Sequence, residues 1–444
     1  MNQVMLKKLI NNVKHVDWAD TLVRRNPIYY KKIERLHNLL NHVEKDTLLS
    51  WQEERLKVVL KAAGKTKYGR EVGNRREFAA WPVLGKEMIR NNPSHFLVSG
   101  VLKRIGIPAS TSGTTGIPLK LVRSPLSIAA EQAFIDGIIR AMGLDIRQAK
   151  VVALRGDNVK SASDQRPPFW KYSSDRKRLM MSSNHLQPKN IKFYFQAIKN
   201  FKPDCLMAYP TSLEALCGFL SGEERKLCIP YVVTSSEVLT DKTRKLAQAV
   251  LGCKVLDYYG QAERVAFAYG YGENQYYFHP FYAHVELKFA ESDDLYDYYE
   301  IIGTPFWNLT MPLVRYATGD LICVAKNTSE ADLALICLGL MPFRCVKGRS
   351  GDFLVARSGA RLVGIDHIPR EVEHVLQMQI IQESFDLVRI LVVPNPLFGD
   401  LDRSKIMKNA RTKIPAEMRI EIDLVDRLER TAQGKTPFVI RRGG

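Results

Sequence analysis

The sequence predicts an α/β protein with one large N-terminal domain and a small α+β C-terminal domain, and three observations carry that expectation. From about residue 150, short β-rich runs alternate with helical stretches, as in a sheet with helices packed on it. Ahead of them, residues 20 to 95 read as helical. After Gly348 the character shifts to a brief succession of helices and strands. A chain of 444 residues is too long for one ordinary core. The expected division is therefore 1–348, with a helical lead-in over about 1–95, and 349–444.

In the lead-in, Leu39, Leu40, Val43, Leu48 and Leu49, then Leu56, Val58, Val59 and Leu60, recur at spacings that suit amphipathic helices packing on something larger. Val151–Leu154, Cys205–Tyr209, Tyr231–Val233 and Lys254–Tyr258 read as strands, with a helix over Ile191–Asn200 between the first two. Thr211 and Glu214 have the spacing of a capping box. Thr240 is the expected N-cap of a further helix, and Gly252 lies near that helix's end. In the last module the expected order is a helix around Pro369–Met378, a strand Leu387–Val393, a helix near Ser404–Thr412 and a strand Met418–Val425.

Composition excludes several classes. The chain is 45% hydrophobic and 25% charged, which is ordinary globular usage. Its seven cysteines include no Cys-x-x-Cys pair, which argues for a reducing compartment and against a zinc knuckle. Net charge is +18, from 65 Lys and Arg against 47 Asp and Glu, which favours acidic partners. The cations run from Lys7 to Arg442 without a long basic block, so no specific nucleic acid partner is expected. Peripheral association with an anionic membrane surface is compatible with this charge. Met1–Asp20 lacks the apolar core and cleavage site of a signal peptide, and no run of about 18 apolar residues appears. The expectation is a soluble, cytoplasmic protein.

The most informative stretch is Ser110-Thr111-Ser112-Gly113-Thr114-Thr115-Gly116-Ile117-Pro118-Leu119-Lys120. Glycines let a backbone approach anionic oxygens and aim N–H groups at them, the hydroxyls add donors, and Lys120 brings a positive charge. A polyphosphate such as ATP fits this chemistry, although the spacing is not that of the P-loop. Gly434-Lys435-Thr436 looks like the tail of a P-loop, but Glu429 stands where its first glycine is required. Asp257-Tyr258-Tyr259-Gly260-Gln261-Ala262-Glu263 falls at an expected strand end, where ligands of open α/β sheets bind. There Tyr259 could stack on a purine, and Glu263 could hold Mg2+, a hard cation that wants oxygen ligands. Asp320, in Arg315-Tyr316-Ala317-Thr318-Gly319-Asp320, could accept both ribose hydroxyls. Lys347-Gly348-Arg349-Ser350-Gly351-Asp352 sits at the expected domain boundary, with glycines for hinge freedom and Arg349 to reach a nucleotide. Each motif alone also has a plain reading, as a solvated loop, a strand end, a turn or a surface charge.

Together, in this order and with these gaps, the five motifs resemble the adenylate-forming superfamily of acyl-CoA synthetases, peptide-synthetase adenylation domains and luciferases. Within it the chain looks most like the phenylacetate-CoA ligase family, especially the branch linked to capsular polysaccharide biosynthesis. Ser182-Ser183-Asn184-His185-Leu186, Tyr209-Pro210-Thr211-Ser212 and Ser235-Ser236-Glu237 carry that narrower likeness. The loop departs from the superfamily in placing Leu119 between Pro118 and Lys120, and Glu263 is followed by Arg264 with no nearby zinc-binding cysteine. The resemblance implies a carboxylate-activating ligase that forms an acyl-adenylate and pyrophosphate from ATP and Mg2+. It would then pass the acyl group of a small carboxylic acid to CoA, or in a variant to an amine, for instance on a sugar. A nucleotide binder without catalysis is the reading from another class.

The same resemblance implies roles residue by residue. Thr111, Ser112, Gly113, Thr114, Thr115 and Gly116, with Lys120, would hold the departing phosphates, and Ser236 and Glu237 the adenine edge. Tyr259 and Gly260 would face the adenine, Asp320 and Arg349 the ribose, Glu263 the Mg2+ and His185 the acyl pocket. Lys435 would be the catalytic lysine, carried by a mobile C-terminal domain that rotates about the hinge.

Overall fold

The computed structural model describes residues 22–40, 43–72, 77–99, 106–110, 119–155, 159–160, 164–221, 227–349, 354–357, 361–362, 365, 368–369, 372–431 and 436–442. The chain gathers into two compact units, each built from two stretches. One contains 1–146 and 258–347, the other 147–257 and 348–444.

In the first unit the expected lead-in helices are present. Pro27–Asn38 starts where the Asn26 side chain accepts from the Ile28 N–H, with Pro27 in the first turn, where a missing N–H costs nothing. Its buried face is Tyr30, Ile33 and His37, and it lies on the helix Pro125–Ala141. Three polar ties fix that contact. Arg25 is bidentate to Asp136 at 2.8 and 3.1 Å, the Tyr30 hydroxyl donates to Asp136 at 2.7 Å, and Arg140 pairs with Glu34 at 2.6 Å. A longer helix, Lys45–Ala63, follows. The strands Ala283–Ser292, Tyr296–Pro305, Tyr316–Ala325 and Cys345–Arg349 form a four-stranded sheet, antiparallel through its first three strands. Gly303 is required there by close approach, because a Cβ at that position would stand 2.1 Å from the Val265 carbonyl oxygen.

The second unit holds the α/β sheet. Its strands lie in the order Trp170–Tyr172, Arg178–Met181, Val151–Leu154, Cys205–Ala208, Tyr231–Ser235 and, as far as Asp257, the strand Lys254–Gly260. Pairing is parallel from Arg178–Met181 through Tyr231–Ser235, as buried β-rich runs between helices require. The helices Ile191–Phe201, Pro210–Ser221 and Asp241–Leu251 supply the apolar cover. Thr240 caps the last of these by accepting from the Thr243 N–H, and Gly252 ends it at φ 64°. The small C-terminal module belongs to this unit. Its sheet runs Arg419–Leu424, Leu387–Pro394, Val375–Gln382, Val439–Arg441, with the helix Asp400–Arg411 packed on it.

Two local expectations are corrected. The segment expected to be helical around Pro369–Met378 instead leads into the strand Val375–Gln382. Gln377, Gln379 and Gln382 in this strand are all buried. Each donates its amide to main-chain carbonyls, of Thr211, of Pro437 and of Val355 respectively, so the strand is apolar or satisfied on both faces. Thr211 is not an N-cap either. The helix already begins at Pro210, and the Thr211 hydroxyl donates to Glu237 at 2.7 Å.

Candidate active site

The first unit presents the Tyr-Gly-x-x-Glu motif and the Thr-Gly-Asp motif. Strands Ile107–Ser110 and Lys120–Arg123 pair antiparallel with Ser110 opposite Lys120, so the Ser/Thr/Gly stretch joins the two strands of a hairpin. Residues 111–118, and with them Thr111, Ser112, Gly113, Thr114, Thr115 and Gly116, lie outside the described residues. Lys120 is exposed at the start of its strand.

Tyr259 and Gly260 end the strand Lys254–Gly260, and Glu263 follows in the next turn. Glu263 is 6% exposed and accepts from the Tyr316 hydroxyl at 2.9 Å. Arg123 fixes the turn that carries Glu263, its Nε and Nη2 reaching the Ala262 carbonyl at 3.2 and 2.7 Å. In the Thr-Gly-Asp motif Gly319 sits at φ 75°, a conformation that favours glycine. Its N–H donates to Glu300, while the Asp320 N–H donates to the Thr318 hydroxyl at 3.0 Å. The two motifs meet directly. The Tyr259 hydroxyl donates to Asp320 Oδ2 at 2.6 Å, across a sequence separation of 61 residues. Burial, then the Asp320 carboxylate, push the Tyr259 phenol well above its ordinary range, so it stays a neutral donor.

The second unit presents Ser236, Glu237 and His185. Ser235 and Ser236 follow the sheet's carboxyl edge; Arg155 donates to the Ser235 hydroxyl at 2.8 Å, and Ser236 is exposed at φ 73°. The Glu237 carboxylate is occupied on both oxygens. Oε2 accepts from the Thr211 N–H at 3.1 Å and its hydroxyl at 2.7 Å, and Oε1 accepts from the Thr436 N–H at 2.8 Å. Lys435 itself lies outside the described residues, as does the side chain of Arg349, whose backbone ends the strand Cys345–Arg349.

His185 is fully buried. Its Nδ1 is 2.7 Å from the Ser182 hydroxyl, and its ring stacks on Phe169 at 5.0 Å between centroids. Burial first, then the charge of Lys160, lower its pKa, which makes it a neutral imidazole that shapes its surroundings. Arg430 donates to the Ser212 hydroxyl at 3.2 Å, and Arg427 to the Asn184 carbonyl at 3.0 Å, so this histidine's neighbourhood is bordered by the C-terminal module.

Each unit thus assembles part of the motif set around hydrogen bonds that the sequence does not announce. Tyr316 lies inside a motif noted for Asp320, so its signal was present and unassigned. Thr211 and Thr436 likewise lie inside stretches noted for other reasons, whereas Arg123 has no comparable signal. Among the described residues no cluster of three or more His, Cys, Asp or Glu could hold a metal on its own. No helix among them is long and apolar enough to cross a membrane.

The chain is similar to known proteins. Two structures of 2-hydroxyisobutyryl-CoA ligase in the postadenylation state, in complex with 2-HIB-AMP and with R3-HIB-AMP, match with TM-scores of 0.59 and 0.58, at 15% identity, over 89% of each chain. The fold is that of the adenylate-forming ligases. Residues 354–442 match the CapK C-terminal domain. Protein CapK of Staphylococcus aureus is 23% identical over 372 residues, covering 81% of this chain and 79% of that protein. In sequence, the chain is similar to CapK.

Proposed function

We propose that this protein is an ATP-dependent, carboxylate-activating ligase of the phenylacetate-CoA ligase type, acting in two half-reactions. A carboxylate attacks the α-phosphate of ATP, giving an acyl-adenylate and pyrophosphate, and the acyl group then passes to the thiol of CoA. The observation that carries this reading is the joining of Tyr259 to Asp320 at 2.6 Å and of Tyr316 to Glu263 at 2.9 Å, which assembles two buried carboxylates from separate motifs in one unit.

Those carboxylates suit different tasks. Asp320 at its glycine turn is suited to accept ribose hydroxyls, beside the Tyr259 ring for the purine. Glu263 fits a hard cation, as a buried carboxylate whose Oε1 accepts from the neutral Tyr316 phenol. Mg2+ held there would supply charge neutralisation for phosphate oxygens. Adenylation brings two anions together, so positioned cations lower its barrier more than acid–base chemistry does. Lys435 is assigned that role between carboxylate and α-phosphate, with Thr111 to Gly116 and Lys120 on the departing phosphates and Arg349 on the ribose. A neutral His185 would line the acyl pocket. The division into 1–348 and a mobile 349–444, and a cytoplasmic location, belong to the same proposal.

The test is acid-dependent pyrophosphate release from ATP and Mg2+ across aryl, fatty and amino acids, with and without CoA, for the wild type and Lys435→Ala. Release that needs an acid and collapses in the variant supports adenylation. Stimulation by CoA supports thiol transfer, whereas indifference to CoA with consumption of an added amine points to an amine acceptor. ATP binding without release across the whole panel overturns the catalytic reading.

A further inference from the structure

Glu237, in the second unit, is a heavily bonded carboxylate, and what it holds is informative. Oε2 takes both the N–H and the hydroxyl of Thr211, on the first turn of the helix Pro210–Ser221, and Oε1 takes the N–H of Thr436. Thr436 is itself 8% exposed, and its hydroxyl lies 3.4 Å from that of Thr211. The neighbouring chain is fastened in the same place. Gln377 donates to the Thr211 carbonyl at 2.7 Å, and Gln379 donates to the Pro437 carbonyl at 2.7 Å. One carboxylate therefore joins the sheet's helix to the residue that follows Lys435 in the chain.

We propose that Glu237 is a positioning residue for the C-terminal lysine: by gripping the Thr436 N–H it seats the residue that follows Lys435 on the helix Pro210–Ser221. This inference rests on the ligase reading above and differs from the adenine-edge role that the family resemblance implies for Glu237. The choice of residue follows from charge and geometry. An ionised carboxylate accepts from two backbone N–H groups and a hydroxyl at once, and such charge-assisted bonds are the strong ones. A glutamine of the same size would turn an NH2 towards one of these N–H donors. Serine or alanine would not span the gap.

The test compares Glu237→Gln and Glu237→Ala with the wild type in acid-dependent pyrophosphate release, alone and combined with Lys435→Ala, alongside tryptic cleavage at the Lys435–Thr436 bond followed by mass. Misplacing a reacting group by about 1 Å costs on the order of a hundredfold. The expected result is a fall in kcat of about tenfold to a hundredfold for Glu237→Ala and less for Glu237→Gln, with KM for ATP nearly unchanged. In the Lys435→Ala background the same substitutions change nothing further, and cleavage at Lys435–Thr436 accelerates in the order wild type, Gln, Ala. A rise in KM for ATP with kcat preserved would overturn the proposal in favour of the adenine edge. So would equal cleavage rates in all three proteins. A wild type that releases no pyrophosphate, yet is cleaved in that same order, would overturn the ligase reading while leaving the grip of Glu237 on Thr436 established.

Discussion

Acidification should loosen the first unit at its lead-in helix, because that helix is docked through two buried, facing histidines. His37 Nδ1 lies 3.1 Å from His279 Nε2, both side chains are buried, and the rings stack at 5.4 Å between centroids. Burial, aided by Arg140, lowers His37 from an ordinary 6.5 to about 4. Burial, and then His37 itself, lower His279 well below the ordinary value. A depressed histidine leaves the unfolded chain binding the proton that the folded chain refuses. Stability is therefore undiminished above about pH 6.5 and is lost as the pH falls towards about 4. Between about pH 7.5 and about pH 5 the His37 shift alone costs about 2 kcal/mol, and His279 adds in the same direction. The assay is hydrogen exchange of the Pro27–Asn38 helix at the two pH values, which reads local opening in a protein that need not unfold in one step. His37→Phe is expected to lose some protection at neutral pH, through the broken hydrogen bond, but to show a pH dependence smaller by about 2 kcal/mol. Wild type and variant losing protection in parallel between these pH values would refute the argument.

Tyr259→Phe removes the 2.6 Å donor from the buried Asp320 carboxylate. It is expected to cost about 1.5–3 kcal/mol of stability, read from the denaturation midpoint of the unit, and to weaken ATP binding by calorimetry. Gly303→Ala places a Cβ 2.1 Å from the Val265 carbonyl oxygen, a backbone atom that cannot swing aside. The variant should lose at least about 1–3 kcal/mol or accumulate unfolded, whereas Gly319→Asn, at φ 75° in open space, should be far milder by the same thermal melt.

Much of the fold could be read from local pattern, because its cause is local. Val151–Leu154, Cys205–Ala208 and Tyr231–Ser235 are short β-rich runs bounded by turns, and burial in a parallel sheet needs little else. Thr240 and Gly252 act through their immediate neighbours and stand where the sequence puts them. The strand Val375–Gln382 could not be read in this way. Its three glutamines look like a solvent face until Thr211, Pro437 and Val355 bring carbonyls to them from elsewhere in the chain. The site divides along the same line. Tyr259, Glu263 and Asp320 announce themselves by motif, but the bond joining Tyr259 to Asp320 spans 61 residues, and that between Glu237 and Thr436 spans 199. A pairing of that kind is a property of the folded path and leaves no trace in spacing.

The attachment of Thr436 also sets a length of rope. Three residues further on, Val439 is pinned opposite Ile380 in the C-terminal module's own sheet. A fully stretched chain spans at most about 10 Å between those two anchors. A swing of the module that carries Val439 farther than that from the start of the helix Pro210–Ser221 must tear Thr436 from Glu237. A small swing leaves the knot tied. Glu237 at one end and Ile380 at the other thus hold one short stretch of chain, Thr436 to Val439, under a shared limit of length.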